Sequence, residues 1–213
     1  MLTLYSLPHS PYSARCRIAV YHKQLDITLL APPGGLRSEE YRQLVATSKV
    51  PALLRDGQVI VESGAILEYL EDCFPNIPLR ATTPQGRAEQ RSLISFMDFS
   101  VAPQIFVLFQ VVLGKASAEQ GHQSMLLLKK HLNSLEDLFV QQQRAANKEL
   151  DMADCGLLPS LFYAQWLASR QGTTELFAAT PHLALWWEQR SQLVAVGKVF
   201  REIGGALSAF VSR

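Results

Sequence analysis

Three short runs in the first third of the chain combine side chains and positions suited to holding an anion. They are Ser10-Pro11-Tyr12-Ser13, Lys49-Val50-Pro51 and Glu62-Ser63. Serine is a favoured helix N-cap and proline is favoured at the first helical position, so Ser10-Pro11 reads as a helix start. A hydroxyl there sits beside unpaired backbone N–H groups at the positive end of a helix, where negative charge is stabilised. Glu62-Ser63 repeats the arrangement ahead of another helix, with a carboxylate alongside. Pro51 cannot donate to a sheet ladder, so its place at a strand entrance marks a special turn and a candidate cis peptide. Taken singly, the three runs read as a cap, a strand-entry proline and a second cap. Taken together, they fall at the ends of elements that can face one cleft.

The elements that must position them follow from two alternating periodicities. Leu2-Thr3-Leu4-Tyr5-Ser6 is short and β-prone and stops at Pro8. The helix after Ser10 runs to about Lys23, with Ile18, Ala19 and Tyr21 on its buried side. Leu25 to Leu30 reads as a second strand, broken by Pro32-Pro33-Gly34-Gly35. A short polar helix is expected around Ser38 to Val45. Ala52 to Arg55 and Val59 to Val61 then read as strands joined by Asp56-Gly57-Gln58, a strong hairpin signal. From Glu62 to Phe74, Ala65, Ile66, Tyr69 and Leu70 form one buried helical stripe, and Pro75 ends it. The order β-α-β-α-β-β-α implies a mixed four-stranded sheet with helices on its faces.

Beyond this α/β domain, placed at residues 1–76, a Pro- and Thr-rich link occupies 77–83, and 84–213 reads as an all-helical bundle. Helical periodicity covers Gln85 to about Leu113, Ala118 to about Ala146 and Asp151 to about Arg170. Asp151-Met152-Ala153-Asp154 is a variant of the capping box, structural rather than catalytic, and loss of such a cap costs on the order of 1 kcal/mol. Hydrophobic residues make up 48% of the 213 and charged residues 18%, a globular balance that excludes disorder. The net charge of +1 gives no footprint for nucleic acid or an anionic membrane. The N-terminal run lacks the form of a signal peptide, and no run of eighteen apolar residues suggests a membrane span. Cys16, Cys73 and Cys155 fit neither a disulfide framework nor a CxxC pattern, which points to reduced thiols and a cytoplasmic protein. His9, His22, His122, His131 and His182 never fall at metal-ligand spacing, so no metal is expected.

The run from Ser10 to Ala19, then Val50-Pro51-Ala52-Leu53, then Glu62-Ser63 leading into Ile66-Leu67-Glu68-Tyr69-Leu70, resembles the cytosolic glutathione transferases. The likeness extends over nearly the whole chain. It implies a thioredoxin-like first domain, a helical second domain, and an Asp151-to-Asp154 capping box in the latter. It also implies glutathione as co-substrate, a small hydrophobic electrophile as the second substrate, and a homodimer. One departure stands out: the family often has Asn-Pro and a polar residue ahead of Val-Pro, where this chain has Val45-Ala46-Thr47-Ser48-Lys49.

By this resemblance Ser10 is the serine that donates a hydrogen bond to the glutathione sulfur, with Tyr5, Tyr12 and Ser13 as alternative contacts. Val50 pairs through its backbone with the cysteinyl part, Pro51 is the cis-proline, and Glu62 and Ser63 hold the γ-glutamyl end. Lys49 and Arg37 fall where some members place contacts to the glycine carboxylate. A free thiol titrates near 8.5, and lowering that value to about 6.5 requires roughly 2.7 kcal/mol of preference for the anion. One charge-assisted hydrogen bond of about 1.5–3 kcal/mol with a helix N-terminus worth about 0.3–1 kcal/mol is sufficient. A second resemblance is to the stringent starvation protein A group, regulators that bind RNA polymerase. Tyr12-Ser13, Arg17-Ile18, Phe74 to Leu79 and Asp154 to Pro159 carry it, whereas Ser10-Pro11 does not.

Overall fold

The structure is a computed structural model that describes residues 2–144 and 149–211. In chain order it runs β1 (Leu2–Tyr5), α1 (Pro11–His22), β2 (Thr28–Leu30), α2 (Glu39–Leu44), β3 (Ala52–Arg55), β4 (Gln58–Val61) and α3 (Ser63–Cys73). Then come α4 (Pro84–Phe96), a π-helical turn (Met97–Val101), α5 (Ala102–Val112), α6 (Ala118–Gln141), α7 (Met152–Arg170), α8 (Pro181–Ser191) and α9 (Val194–Val211).

The four strands form one sheet in the order β2-β1-β3-β4. β1 pairs with β2 in parallel and with β3 antiparallel, and β3 pairs antiparallel with β4. This is the mixed sheet read from the sequence. Asp56 and Gly57 both take positive φ, 49° and 82°, as the two-residue turn between β3 and β4 requires. β2 is shorter than expected because the backbone ahead of it is engaged locally. Leu25 N–H donates to Val20 O and Ile27 N–H to Leu25 O, so those residues cannot join the ladder.

The chain divides into two compact units, Met1–Arg80 with Leu193–Arg213, and Ala81–Gln192. The sequence reading counts the last helix with the helical domain; in the structure α9 packs on α1 of the first unit. Val196, Val199, Ile203 and Leu207 give α9 a buried stripe at three- and four-residue steps. The Pro-rich stretch after α3 is held in the same unit by a buried ion pair. Lys23 Nζ lies 2.7 Å from Glu71 Oε2 and donates to the carbonyls of Phe74 (2.8 Å) and Ile77 (2.6 Å). Glu71 in turn accepts from the N–H groups of Leu79 and Arg80. Both charges are buried, and pairing with satisfied hydrogen bonds is what makes that tolerable.

In the second unit the helix predicted from Gln85 to Leu113 runs from Pro84 to Val112 but widens into the π turn at Met97–Val101. Pro103 accounts for this: it lacks an N–H, and its ring would clash with the carbonyl four residues back, so the ladder loosens just ahead of it. By length and composition this 29-residue helical run is apolar enough to cross a membrane. Its Leu93, Met97, Val101, Ile105 and Leu108 are buried at helical spacing, and α5 packs on α6 and α7. Gly156 of α7 meets α4 closely: a Cβ there would stand 2.7 Å from Ile94 Cγ1. The helix expected to reach Ala146 ends at Gln141; Ala146 itself lies outside the described residues.

The capping box at the start of α7 is present in full, with Asp151 accepting from Asp154 N–H at 2.9 Å and Asp154 returning the bond at 3.0 Å. It extends into a buried network. Asp154 accepts from Trp186 Nε1 (2.8 Å), Arg190 Nε (2.9 Å) and Arg144 Nη2 (2.6 Å), and Arg144 also bridges to Asp151.

Helix α8 lacks a side-chain cap of its own, and α6 supplies one. Glu136 accepts from the N–H groups of His182 (2.9 Å) and Leu183 (2.8 Å). Burial opposes the carboxylate, but these bonds outweigh it and hold Glu136 below the ordinary glutamate value. Glu136→Ala should therefore cost about 1–2 kcal/mol at neutral pH. Because the native pKa is depressed, this contribution is complete above the ordinary glutamate value and fades as pH falls through the native one. Denaturant titrations at pH 7 and pH 3 should show the gap to the wild type narrowing in acid.

Candidate active site

Strand register places the three runs at one end of the sheet. Tyr5 at the end of β1 pairs with Ala52 at the start of β3, and Ala52 pairs with Val61 at the end of β4. The loop to Ser10, the turn through Lys49-Val50-Pro51 and the Glu62-Ser63 corner all leave the sheet at this edge.

Ser10 is the N-cap of α1, with φ −84° and ψ 118°. Its Oγ accepts from Ser13 N–H at 3.1 Å, its carbonyl accepts from Ala14 N–H, and its own N–H donates to Leu7 O at 3.0 Å. The cap uses a lone pair on Oγ and leaves the hydroxyl proton available to a further acceptor. The side chain is half-buried, at the boundary an arriving anion would meet.

The Val50–Pro51 peptide is cis. Tyr41 of α2 holds the turn ahead of it: fully buried, it donates its hydroxyl to Lys49 O at 2.7 Å and meets Tyr5 edge to face at 5.4 Å. Burial, with Tyr5 adding to it, pushes the Tyr41 phenol up to about 12, so it stays a protonated donor. Sequence spacing gives no sign of this role; an aromatic in a mostly polar short helix is the one available hint.

Glu62 caps α3 with φ 69°, a left-handed backbone that a non-glycine residue adopts only where its surroundings impose it. Its carboxylate makes no cap bond to its own helix and is exposed. Ser63 is buried, and its carbonyl receives the Cys16 thiol at 3.9 Å, tying α1 to α3. Burial pushes that thiol up to about 12 against the pull of Arg15 and Arg17, so Cys16 is packing rather than nucleophile.

The remaining predicted residues are placed as follows. Tyr5 is buried in a cluster with Tyr41, Val45 and Ala52. Tyr12 is exposed beneath the Arg15 guanidinium, 4.8 Å from ring centre to Cζ. Ser13 is fully buried, and its hydroxyl has no hydrogen-bond partner among the described residues. Lys49 is exposed beside the cis turn, and Arg37 is exposed just ahead of the α2 N-cap Ser38. His9, beside Ser10, is held below the ordinary imidazole value by burial and then by Arg17. Among the described residues no group of three or more His, Cys, Asp or Glu is placed to hold a metal ion. The arrangement offers two helix N-termini, a free hydroxyl proton and an exposed carboxylate, which suits a ligand carrying both an anionic centre and an ammonium group.

Residues 4–78 match the family model of the glutathione S-transferase N-terminal domain. The maleylacetoacetate isomerase of Mus musculus is 34% identical over 174 residues, covering 76% of this chain and 77% of that protein. A stringent starvation protein A homolog of Coxiella burnetii is 26% identical over 162 residues, covering 76% and 75%. A rice glutathione S-transferase solved in complex with glutathione superposes with a TM-score of 0.81 at 22% identity, covering 99% of this chain and 96% of that one. With a relative that similar over most of both chains, and the same fold throughout, the chain belongs to the cytosolic glutathione transferase superfamily, a family of glutathione-dependent enzymes.

Proposed function

We propose that this protein binds glutathione at the sheet edge, ionises its thiol through the Ser10 hydroxyl, and adds the thiolate to an electrophilic carbon. The observation that carries the reading is Ser10 itself. Its Oγ accepts from Ser13 N–H, and its O–H can still donate to an acceptor arriving at this helix N-terminus. Val50 pairs with the cysteinyl backbone beside the cis Pro51. Glu62 and Ser63 receive the γ-glutamyl end, the carboxylate of Glu62 meeting its ammonium group. Lys49 and Arg37 bring positive charge to the glycine carboxylate. Tyr5 and Tyr12 are weaker sulfur contacts, the first because it is packed in the core and the second because its ring is covered by Arg15.

Once formed, the thiolate can conjugate a small hydrophobic electrophile by displacing its leaving group. Several similar proteins are named maleylacetoacetate isomerases, which favours a related use of the same nucleophile. Addition to a cis double bond conjugated with a carbonyl forms a C–S bond and an enolate. Rotation about the new single bond and expulsion of the thiolate then give the trans product and regenerate glutathione. The deciding experiment pairs a thermal shift with millimolar glutathione and two assays, conjugation of a chloronitrobenzene and isomerisation of a cis-enedione acid. A clear upward melting shift with turnover in either assay supports the reading; no shift and no turnover end it.

The similarity to the Coxiella regulator favours one alternative, a non-catalytic protein that binds RNA polymerase. Co-purification of polymerase without a glutathione-induced shift would select it. We further propose a cytoplasmic homodimer. Phe99 in the π turn and Phe106 in α5, 83% and 64% exposed, supply apolar surface of the kind a second copy covers.

Tyr41→Phe removes only the hydroxyl that steadies Lys49 O. The expected loss is about 1 kcal/mol of stability, with a several-fold weaker affinity for glutathione measured by calorimetry. An unchanged affinity would show that the turn ahead of Pro51 is set without it.

A further inference from the structure

Arg17 reaches back from the middle of α1 into the loop that precedes the helix. Its Nη1 donates to Ser6 Oγ and to Leu7 O, each at 2.8 Å, and its Nη2 to Pro8 O at 2.9 Å. The Leu7 carbonyl is the same one that accepts the Ser10 N–H at 3.0 Å. Arg17 and Ser10 therefore share an acceptor, and Arg17 fixes the atom that Ser10 is hung from. The guanidinium is buried, and its charge is met from the far end of the chain: Nε lies 2.9 Å from Glu202 Oε2 on α9. The other oxygen of Glu202 accepts the Tyr21 hydroxyl at 2.7 Å, and the Lys198 ammonium sits 3.6 Å above the Tyr21 ring.

We propose that Arg17 is a positioning residue for the Ser10 hydroxyl and that Glu202 anchors it, so that the C-terminal helix sets the activity of the sulfur site. The inference rests on the glutathione reading above and adds residues that reading does not use. A hydroxyl stabilises a thiolate only within hydrogen-bond reach, and a displacement of about 1 Å can cost on the order of 100-fold in rate. Without Arg17 the Ser6 hydroxyl and the Leu7 and Pro8 carbonyls lose its three donor contacts, while the Ser6 N–H to Leu30 O and the Ser10 N–H to Leu7 O bonds remain in this loop. The Arg17–Glu202 pair is neutral as a whole, but the Arg17 charge still acts on His9 beside Ser10, so a local field has to be told apart from positioning. Removing the anchor separates the two: a field effect would make the bound thiol more acidic, whereas lost positioning makes it less acidic.

The test uses Arg17→Met, Arg17→Lys and Glu202→Gln in the full chain. Bound glutathione is titrated through its thiolate absorbance, S-methylglutathione affinity is measured by calorimetry, and exchange of the Ser10 and Ser13 amide protons is followed by NMR. Arg17→Met should reduce the acid dissociation constant of the bound thiol about tenfold, lower kcat/KM roughly 10–100-fold near pH 6.5, and leave S-methylglutathione affinity within about threefold. Arg17→Lys should recover part of the loss, since an ammonium can still donate to both carbonyls. Glu202→Gln should shift the thiol in the same direction, more weakly. Glu202 is 28% exposed, so this variant carries the test if Arg17→Met does not fold. A more acidic thiol in Glu202→Gln, or an unchanged one in the Arg17 variants, overturns the proposal. Should the wild type bind no S-methylglutathione, the functional reading fails by itself. Amide exchange then still decides, because unchanged protection at Ser10 and Ser13 in the variants overturns positioning as well.

Discussion

Ser10→Ala is expected to lower kcat/KM by roughly 10- to 150-fold near pH 6.5, the value of one charge-assisted hydrogen bond of about 1.5–3 kcal/mol. The bound thiol should titrate close to the free value near 8.5, and the deficit should shrink above that pH, where solution supplies the thiolate. The same substitution removes the α1 N-cap, so a stability loss of about 1 kcal/mol accompanies it. Two further variants separate the roles. Ser10→Asp preserves an N-cap acceptor but places a negative charge where the sulfur anion would lie; it should keep stability and lose more activity than alanine. Ser10→Thr should retain most of both. If a folded Ser10→Ala protein turns over at the wild-type rate near pH 6.5, the serine is a cap and nothing more.

Asp154→Ala should be the most destabilising single change, by about 3–5 kcal/mol, because it removes a buried carboxylate shared by two buried guanidiniums, taking one of the two carboxylates that Arg144 bridges and the one that Arg190 Nε meets. Trp186 Nε1–H would lose its acceptor at the same stroke, and Asp151 N–H its capping partner. For a chain of this size the melting temperature should fall by roughly 10 °C. Asp154→Asn, which keeps an acceptor and drops the charge, should lie between the two. A double-mutant cycle with Arg190→Leu should return a coupling above about 1 kcal/mol, since part of the single-mutant loss is the carboxylate taken from a buried arginine. A loss below about 1 kcal/mol for Asp154→Ala would mean that water replaces the carboxylate. Acid should erode the same network. Burial opposes ionisation of Asp151, but Arg144 outweighs it and holds the carboxyl below the ordinary aspartate value. Its contribution is therefore present above that value and lost as pH falls through the depressed one.

The first domain was legible because its punctuation is local. Ser10-Pro11, Asp56-Gly57 and Pro75 each state a boundary within two or three residues, and the structure places α1, the β3–β4 turn and the end of α3 accordingly. What escaped depends on partners distant in sequence. Nothing around Arg17 announces that its partner is Glu202, and a lone buried Tyr41 in a six-residue helix has no periodicity to betray it. The second domain reads less well because helical periodicity is continuous across features such as the π turn ahead of Pro103. Helices α8 and α9 were missed as elements, although Thr180-Pro181 is a start signal of the same kind as Ser10-Pro11. At the sheet edge, the positive φ of Glu62 is imposed by tertiary surroundings and leaves no mark on composition.

The return of α9 to α1 makes residues 81–192 an insertion, topologically speaking, within a discontinuous first unit. An excised fragment ending at Arg80 would expose the hydrophobic flank of α1 that Val196, Val199, Ile203 and Leu207 cover, and would strand Arg17 without its carboxylate. A minimal glutathione-binding module cut from this protein must therefore splice the two ends of the chain together rather than truncate it.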